Sequence, residues 1–375
     1  MNEAIRSQFA ATKRCTYLNS AAVSPLPQKA IDAVLSQLND VGASGSDHYP
    51  AWVETKGRCR ALLAEMLNVT SEQIAFMRNT SDGFASIANG IDWNAGDNIV
   101  SFAGEFPANF YPWRMARDRY DVELRLVPER DGRIDLGEMI GLIDDRTRLV
   151  AISSVQFASG FRADLKKLSE AANAFDALFA VDMIQGLGAH DYDLPALGVD
   201  IAAGASHKWL CAPEGCGILY VSDRARGMIE PAFVGWISVE HPWNFDDREQ
   251  RFRPNALAWE SGTGPSSLFY GLEQSLLLIK EAGLGAIEGH LAVLSDRLCE
   301  GLAGSNYDLI SSRRQGESSA IVCIKHRGGL ESADVAKTLH EKGVVVSPRG
   351  DRLRIAPHFY NNAEDIDRFL EALPE

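Results

Sequence analysis

From about residue 74 to 222, short apolar runs alternate with segments of helical periodicity. IAFM is followed by SDGFASIANG, NIVSFAGEF by ANFYPWRMARD, and TRLVAISSV by LKKLSEAANAF; LFAVDMIQ, DIAAGASH and GILYVS complete the series. Apolar runs without polar alternation suit strands buried on both faces, and a strand–helix rhythm builds a mostly parallel sheet covered on both sides. Beyond Pro265 the pattern changes. The helical stretch SSLFYGLEQSLLLIKEAG leads to strands AIVCIKH, VVVSPR and RLRIAP, interleaved with helices SADVAKTLHEKG and AEDIDRFLEALPE, which predicts a separate, smaller α+β domain. The expected division is an N-terminal segment (1–20), a large domain (21–264) and a small C-terminal domain (265–375).

Composition removes several alternatives. The chain has 375 residues, 46% of them hydrophobic, enough for a large core and a second domain. Lys and Arg number 37 against 51 Asp and Glu, a formal charge of −14, and no basic run interleaved with aromatics follows a phosphate backbone, so nucleic acid is not an expected partner. The start, MNEAIRSQFAATKRC, lacks a signal-peptide apolar stretch, and no segment approaches the roughly 18 uninterrupted apolar residues of a membrane span. A cytoplasmic location is expected. The six cysteines, Cys15, Cys59, Cys211, Cys216, Cys299 and Cys323, show no C-x-x-C pairing and read as free thiols; no metal site is expected.

In an open α/β sheet ligands bind beyond the carboxyl ends of the strands, so the residues just after each apolar run carry the chemistry. After LFAV comes Asp182, with Gln185 three residues on. Its ordinary reading is a turn or cap carboxylate; its sharper one is a partner for a cationic ring nitrogen. After DIAAGAS comes Ser206-His207-Lys208-Trp209. A lysine at a strand end is costly to bury, and an amine held beside a carbonyl-bearing cofactor forms a Schiff base once its pKa is lowered. After IAFM come Thr80 and Ser81, opening a helix whose free N–H groups attract phosphate, although such hydroxyls also cap helices that bind nothing. After NIVSFAGE comes Phe106, either a core aromatic or a stacking surface for a flat heteroaromatic ring. A dinucleotide fold is disfavoured, because GLGAH lacks the third glycine of G-x-G-x-x-G.

AVDMIQ followed by SHKWLCAPEGCGILYV resembles the signature of the class V aminotransferases. These are fold type I pyridoxal 5'-phosphate (PLP) enzymes that include cysteine desulfurases, kynureninases and isopenicillin N epimerases. The resemblance covers nearly the whole chain and implies a seven-stranded large domain. It also implies that Lys208 carries PLP as a Schiff base, Asp182 pairs with the ring nitrogen, Gln185 contacts the ring hydroxyl and Phe106 stacks on the ring. Thr80, Ser81, Ser206 and His207 fall at its phosphate contacts. WESGTG resembles the stretch whose threonine, here Thr263, reaches the neighbouring subunit's phosphate, which implies a homodimer with the active site at the interface. LRIAPHFYNN places Arg354 where the family binds the substrate carboxylate, with Arg349 in GVVVSPRG a second anion ligand, and YLNSAAVSPLP resembles the segment that passes the site. Asp182 is expected to be held ionised by its cationic partner.

Three departures narrow the chemistry. No cysteine stands in GVVVSPRGDRLRIAP, where desulfurases carry their nucleophile. That short connection resembles kynureninases, whereas HKWLCAP resembles the epimerase branch. Phe157 replaces an asparagine, leaving Gln156 to compensate. The expected reaction is a lyase or epimerase step on a small or modified α-amino acid after Cα deprotonation. The alternatives are an aminotransferase, a cysteine desulfurase or selenocysteine lyase without the usual loop cysteine, and a non-catalytic PLP-binding protein.

Overall fold

The computed structural model describes residues 3–375. Seven strands form the main sheet: β1 (Ile74–Met77), β2 (Asn98–Phe102), β3 (Glu123–Val127), β4 (Thr147–Ser153), β5 (Leu178–Asp182), β6 (Ile201–Ala205) and β7 (Gly217–Val221). Their order across the sheet is β1-β7-β6-β5-β4-β2-β3. Strands β2 to β6 pair parallel, and β7 runs antiparallel to both β6 and β1. The exception follows from connectivity, since β6 returns into β7 through a loop with no crossover helix. The carboxyl ends of β1, β2, β4, β5 and β6 therefore share one edge.

Among the described residues the nine longer helices are α1 (Gln28–Ser44), α2 (Tyr49–Met66), α3 (Thr80–Gly90), α4 (Tyr111–Tyr120), α5 (Leu165–Asn173), α6 (Ser266–Ala282), α7 (Leu284–Gly301), α8 (Ser332–Glu341) and α9 (Ala363–Ala372). Period-two alternation sorts the strand side chains into two cores. Ala75, Ile99, Leu149, Ala151, Leu178 and Ala180 meet Phe84 and Ile87 of α3 and Trp113 of α4. Ile74, Phe76, Val100, Val150, Ile152 and Phe179 meet Leu63 of α2, Leu168 of α5 and Leu272 of α6 on the other face. Burial on both faces is what makes these runs uniformly apolar. Helix α6 lies against α1 and α2, whereas α7 lies against α9.

A second sheet, wholly antiparallel, has the order β8-β9-β11-β10, with β8 at Tyr307–Leu309, β9 at Val322–His326, β10 at Ser347–Arg349 and β11 at Arg352–Ile355. Leu294 and Leu298 of α7, Leu339 of α8, and Ile366 and Phe369 of α9 bury its inner face. The N-terminal chain pairs Thr16 and Tyr17 with Val344 and Val345 of this unit. It then crosses to the main sheet, where the Ser24 N–H donates to His207 O at 2.9 Å. Among the described residues no helix is long and apolar enough to cross a membrane, and no cluster of three His, Cys, Asp or Glu side chains is arranged to hold a metal ion.

Candidate active site

A cavity of about 330 Å³ opens at the carboxyl edge of the main sheet. Its wall includes Thr80, Ser81, Phe106, Asp182, Gln185, His207 and Lys208 from the main sheet, Arg349 and Arg354 from the second sheet, and Ala21 to Val23 from the crossing segment. Nine of the eleven site residues read from the sequence thus meet in one place. The other two do not. Ser206 is fully buried and its hydroxyl bonds Pro213 O inside the loop. Thr263 is exposed on a separate groove lined by Lys56, Trp236 and Gly264.

The lysine loop is held shut from within. Ser206 N–H donates to Cys216 O, Ala212 N–H to Ser206 O, and Cys211 N–H to Lys208 O at 3.0 Å. Cys211 takes a left-handed φ of 50°, which a side chain tolerates only where its surroundings over-determine it. Trp209 Nε1–H donates to Gln185 Oε1 at 2.9 Å, and Gln185 Nε2 donates to Ala21 O at 3.0 Å. Both ends of Gln185 are therefore engaged by the chain, leaving one N–H for a ligand. Trp209 O in turn pairs with His358 Nε2 at 2.8 Å, tying the loop to the C-terminal unit.

Lys208 is 7% exposed, with Nζ 5.4 Å from the Phe106 ring centroid. Burial lowers its pKa; Asp182 opposes that shift, and Arg354 and Arg349 reinforce it. Asp182, the last residue of β5, is 1% exposed; Oδ1 accepts from Ile184 N–H at 2.9 Å and Oδ2 has no partner. Within the chain alone burial pushes its pKa up, with Glu105 adding to the shift and Lys208 opposing it, so Lys208 alone does not secure the ionised state expected from the sequence.

At the start of α3, Asn79 caps the helix by accepting from Asp82 N–H, while the buried Thr80 hydroxyl has no partner and Ser81 is exposed. Gly217 makes the close packing possible here: a methyl group on it would lie 2.5, 2.7 and 2.9 Å from Asn79 N, Cα and C. Arg354 is 1% exposed; Nη1 donates to Phe157 O at 3.0 Å, and Nε and Nη2 have no partner. Burial lowers its pKa to about 10, with Arg349 contributing.

These unpartnered buried atoms test the fit of PLP. Asp182 Oδ2 suits a protonated ring nitrogen, Thr80 Oγ1 with the α3 N-terminus suits a phosphate, Lys208 Nζ suits an aldehyde carbon and Phe106 offers a flat apolar face. The residues fit the group.

Sequence reasoning left some contributors without a role. Glu105 is buried under the site and accepts from Ser153 N–H and Gln156 Nε2, both at 2.7 Å, and from the Ser153 hydroxyl. Gln156 is thereby engaged away from the cavity, and Phe157 lines it instead, edge-on to Phe106 with ring centroids 5.2 Å apart. No cysteine lines the cavity. Trp236 and Trp243 line the groove beside Thr263, with Tyr49 and Trp52, rather than the Lys208 cavity.

Residues 16–369 match the family model described as aminotransferase class V. Among curated proteins, a probable cysteine desulfurase of Pseudomonas putida is 30% identical over 96% of this chain and 93% of its own length. One of Methanothermobacter thermautotrophicus is 27% identical over 100% of this chain and 97% of its own. A solved structure of the lyase C-DES, a variant with glycine covalently linked to its PLP cofactor, superposes with a TM-score of 0.91 at 22% identity, covering 98% of both chains. A cysteine desulfurase from Thermococcus onnurineus NA1 superposes with a TM-score of 0.87 at 23% identity, covering 99% of this chain and 96% of its own. With the family model spanning nearly its whole length and its fold that of type I PLP enzymes, the chain belongs to the class V aminotransferases and is a PLP-dependent enzyme.

Proposed function

We propose that the chain is a β-lyase acting on a small or modified α-amino acid, with Lys208 as both Schiff-base lysine and proton-transfer group. The carrying observation is the set of unpaired buried atoms on Asp182, Thr80 and Arg354 around one lysine, in a cavity that no thiol lines. Bound PLP supplies an electron sink for charge developing at Cα. Asp182 Oδ2 holds a proton at the ring nitrogen, and Gln185 presents its remaining N–H to the ring hydroxyl. Thr80, Ser81 and His207 take the phosphate, and Phe106 excludes water from one ring face. Arg354 forks onto the substrate carboxylate, with Arg349 beside it. Lys208, with its pKa lowered, is neutral often enough to take the Cα proton.

Elimination of a β-substituent needs one base, whereas epimerisation through two bases needs a second proton donor, and the two phenylalanines of the cavity wall, Phe106 and Phe157, carry no transferable proton. A cysteine desulfurase is the second reading, favoured by the relatives described as probable cysteine desulfurases. It requires a thiol to receive sulfur, and Cys211, Cys216 and Cys323 are buried away from the cavity wall. The C-DES fold neighbour, described as a cystine C–S lyase in complex with its product cysteine persulfide, illustrates the first reading at 22% identity. The homodimer belongs to the same proposal. Leu35, Leu38, Phe233, Trp243 and Phe245 are exposed, which supports a covering second copy, and Thr263 then reaches the partner's phosphate site.

The test is an absorption spectrum of the purified protein with PLP, for wild type and Lys208→Ala, followed by cystine, cysteine, kynurenine and alanine. A visible band that Lys208→Ala abolishes, and catalytic release of ammonia and a keto acid from one of these, is the expected result. Alanine formation from cysteine that disappears on substituting one cysteine would replace the lyase reading with the desulfurase one. No band at all would remove both.

A further inference from the structure

Glu105 takes part in none of the steps above, yet it is among the most deeply buried acids in the molecule. It follows β2 and immediately precedes Phe106. Its carboxylate accepts from Ser153 N–H and Gln156 Nε2 at 2.7 Å each and from the Ser153 hydroxyl, and the Asn109 amide faces it. Ser153 ends β4, and its register partner on β5 is Asp182. The hydrogen bonds therefore fasten the turn that carries Phe106 to the strand end beside the acid. Asn109 closes the same turn, its N–H donating to Phe106 O at 2.8 Å.

We propose that Glu105 is a positioning residue for the cofactor ring, acting through Phe106, which it fixes in place, and through Asp182, behind which it sets a second negative charge. This rests on the reading of Asp182 as the partner of the ring nitrogen. The physical case has two parts. A ring-stacking side chain on a surface turn loses its orientation unless the turn is anchored, and the donors from Ser153 and Gln156 supply that anchor. Glu105 also lies close enough to Asp182 to raise that acid's pKa, so its carboxylate adds a charge of the sign that favours a cation at the ring nitrogen, and the hydrogen bonds from Ser153, Gln156 and Asn109 oppose the rise that burial imposes on Glu105 itself.

The experiment uses holoenzyme loaded with ring-15N-labelled PLP and reads the ring-nitrogen chemical shift against pH, together with the rate of cofactor loss on dialysis. Glu105→Gln should lower the ring-nitrogen protonation midpoint by about one pH unit and speed cofactor loss. Ser153→Ala, which loosens the tether and keeps the charge, should speed cofactor loss and leave the midpoint in place. Asp182→Ala is the reference and should abolish ring protonation. If Asp182→Ala shifts the nitrogen signal and Glu105→Gln leaves both readouts at wild-type values, Glu105 has no positioning role. If Asp182→Ala leaves the signal unchanged as well, the underlying assignment of Asp182 fails first.

Discussion

Arg354 offers a test in which stability and activity move in opposite directions. Its guanidinium is 1% exposed, donates to Phe157 O through Nη1, and leaves Nε and Nη2 unpartnered; no carboxylate pairs with it among the described residues. An unpaired buried cation carries a standing desolvation cost that an apolar side chain of similar volume does not. Arg354→Met should therefore raise the midpoint of urea unfolding of the substrate-free protein. The substrate carboxylate is what the fork awaits. Two charge-assisted hydrogen bonds are worth roughly 3–6 kcal/mol together, so kcat/KM for an amino acid should fall about 10²–10⁴-fold. Arg354→Lys, which keeps the charge and loses the fork, should lie between, at about 10–150-fold. The assay is steady-state kinetics beside spectral titration with the amino acid and with the corresponding amine lacking a carboxylate. The variants should bind the amine as wild type does. Unaltered amino-acid affinity in Arg354→Met, or a loss of stability with no change in KM, would refute the assignment.

Three further outcomes follow from other parts of the structure. His358 is fully buried between Trp209 O and Phe359 N–H, and burial lowers its pKa to about 3. The unfolded chain takes up a proton near pH 6.5 that the native one refuses, so stability is complete above that pH and falls as the pH drops towards 3, by up to about 1.4 kcal/mol per unit. His358→Gln should flatten that acid limb in urea titrations at pH 4 to 7, and an unchanged slope would show that other groups set it. Gly217→Ala pushes the start of α3 away from β7, since the added carbon meets the Asn79 backbone at 2.5 Å; PLP should dissociate at least tenfold more readily on dialysis, and wild-type retention would show that the phosphate does not depend on this packing. Thr263→Ala should weaken PLP binding while leaving the sedimentation coefficient that of the wild type, and a variant that retains PLP like wild type would remove the residue from the partner's phosphate site.

The main-sheet strands from β1 to β7 were legible in all but β3, because burial on both faces leaves little choice of residue and IAFM, LFAVD and GILYV carry the signal unbroken. Strand β3, ELRLV at the sheet edge, is half exposed and reads as neither strand nor helix by periodicity alone. Helices α1 and α2 lie outside the strand–helix rhythm, and α2 has little sidedness because α6 covers part of it and charged residues cover the rest. The site residues divide along the same line. Asp182, Lys208 and Thr80 each follow an apolar run, and strand ends in this fold class converge on one edge, so local sequence was enough to nominate them.

What local sequence lacked was the set of residues whose role depends on a contact made far along the chain. His358 draws its meaning from Trp209 O, 149 positions away, and Glu105 from Ser153. In the sequence each is an ordinary polar residue beside an apolar one. Their positions suggest how such a site is built. The groups nominated by local sequence stand on one sheet edge and supply the chemistry, whereas the long-range contacts join that edge to the second sheet and to the neighbouring turn. Substrate specificity should accordingly reside in cavity-wall residues outside both sets. Exchanging Lys208 or Asp182 should end all turnover alike, while changes at Phe157 or Arg349, which line the same cavity, should alter which substrate that chemistry serves.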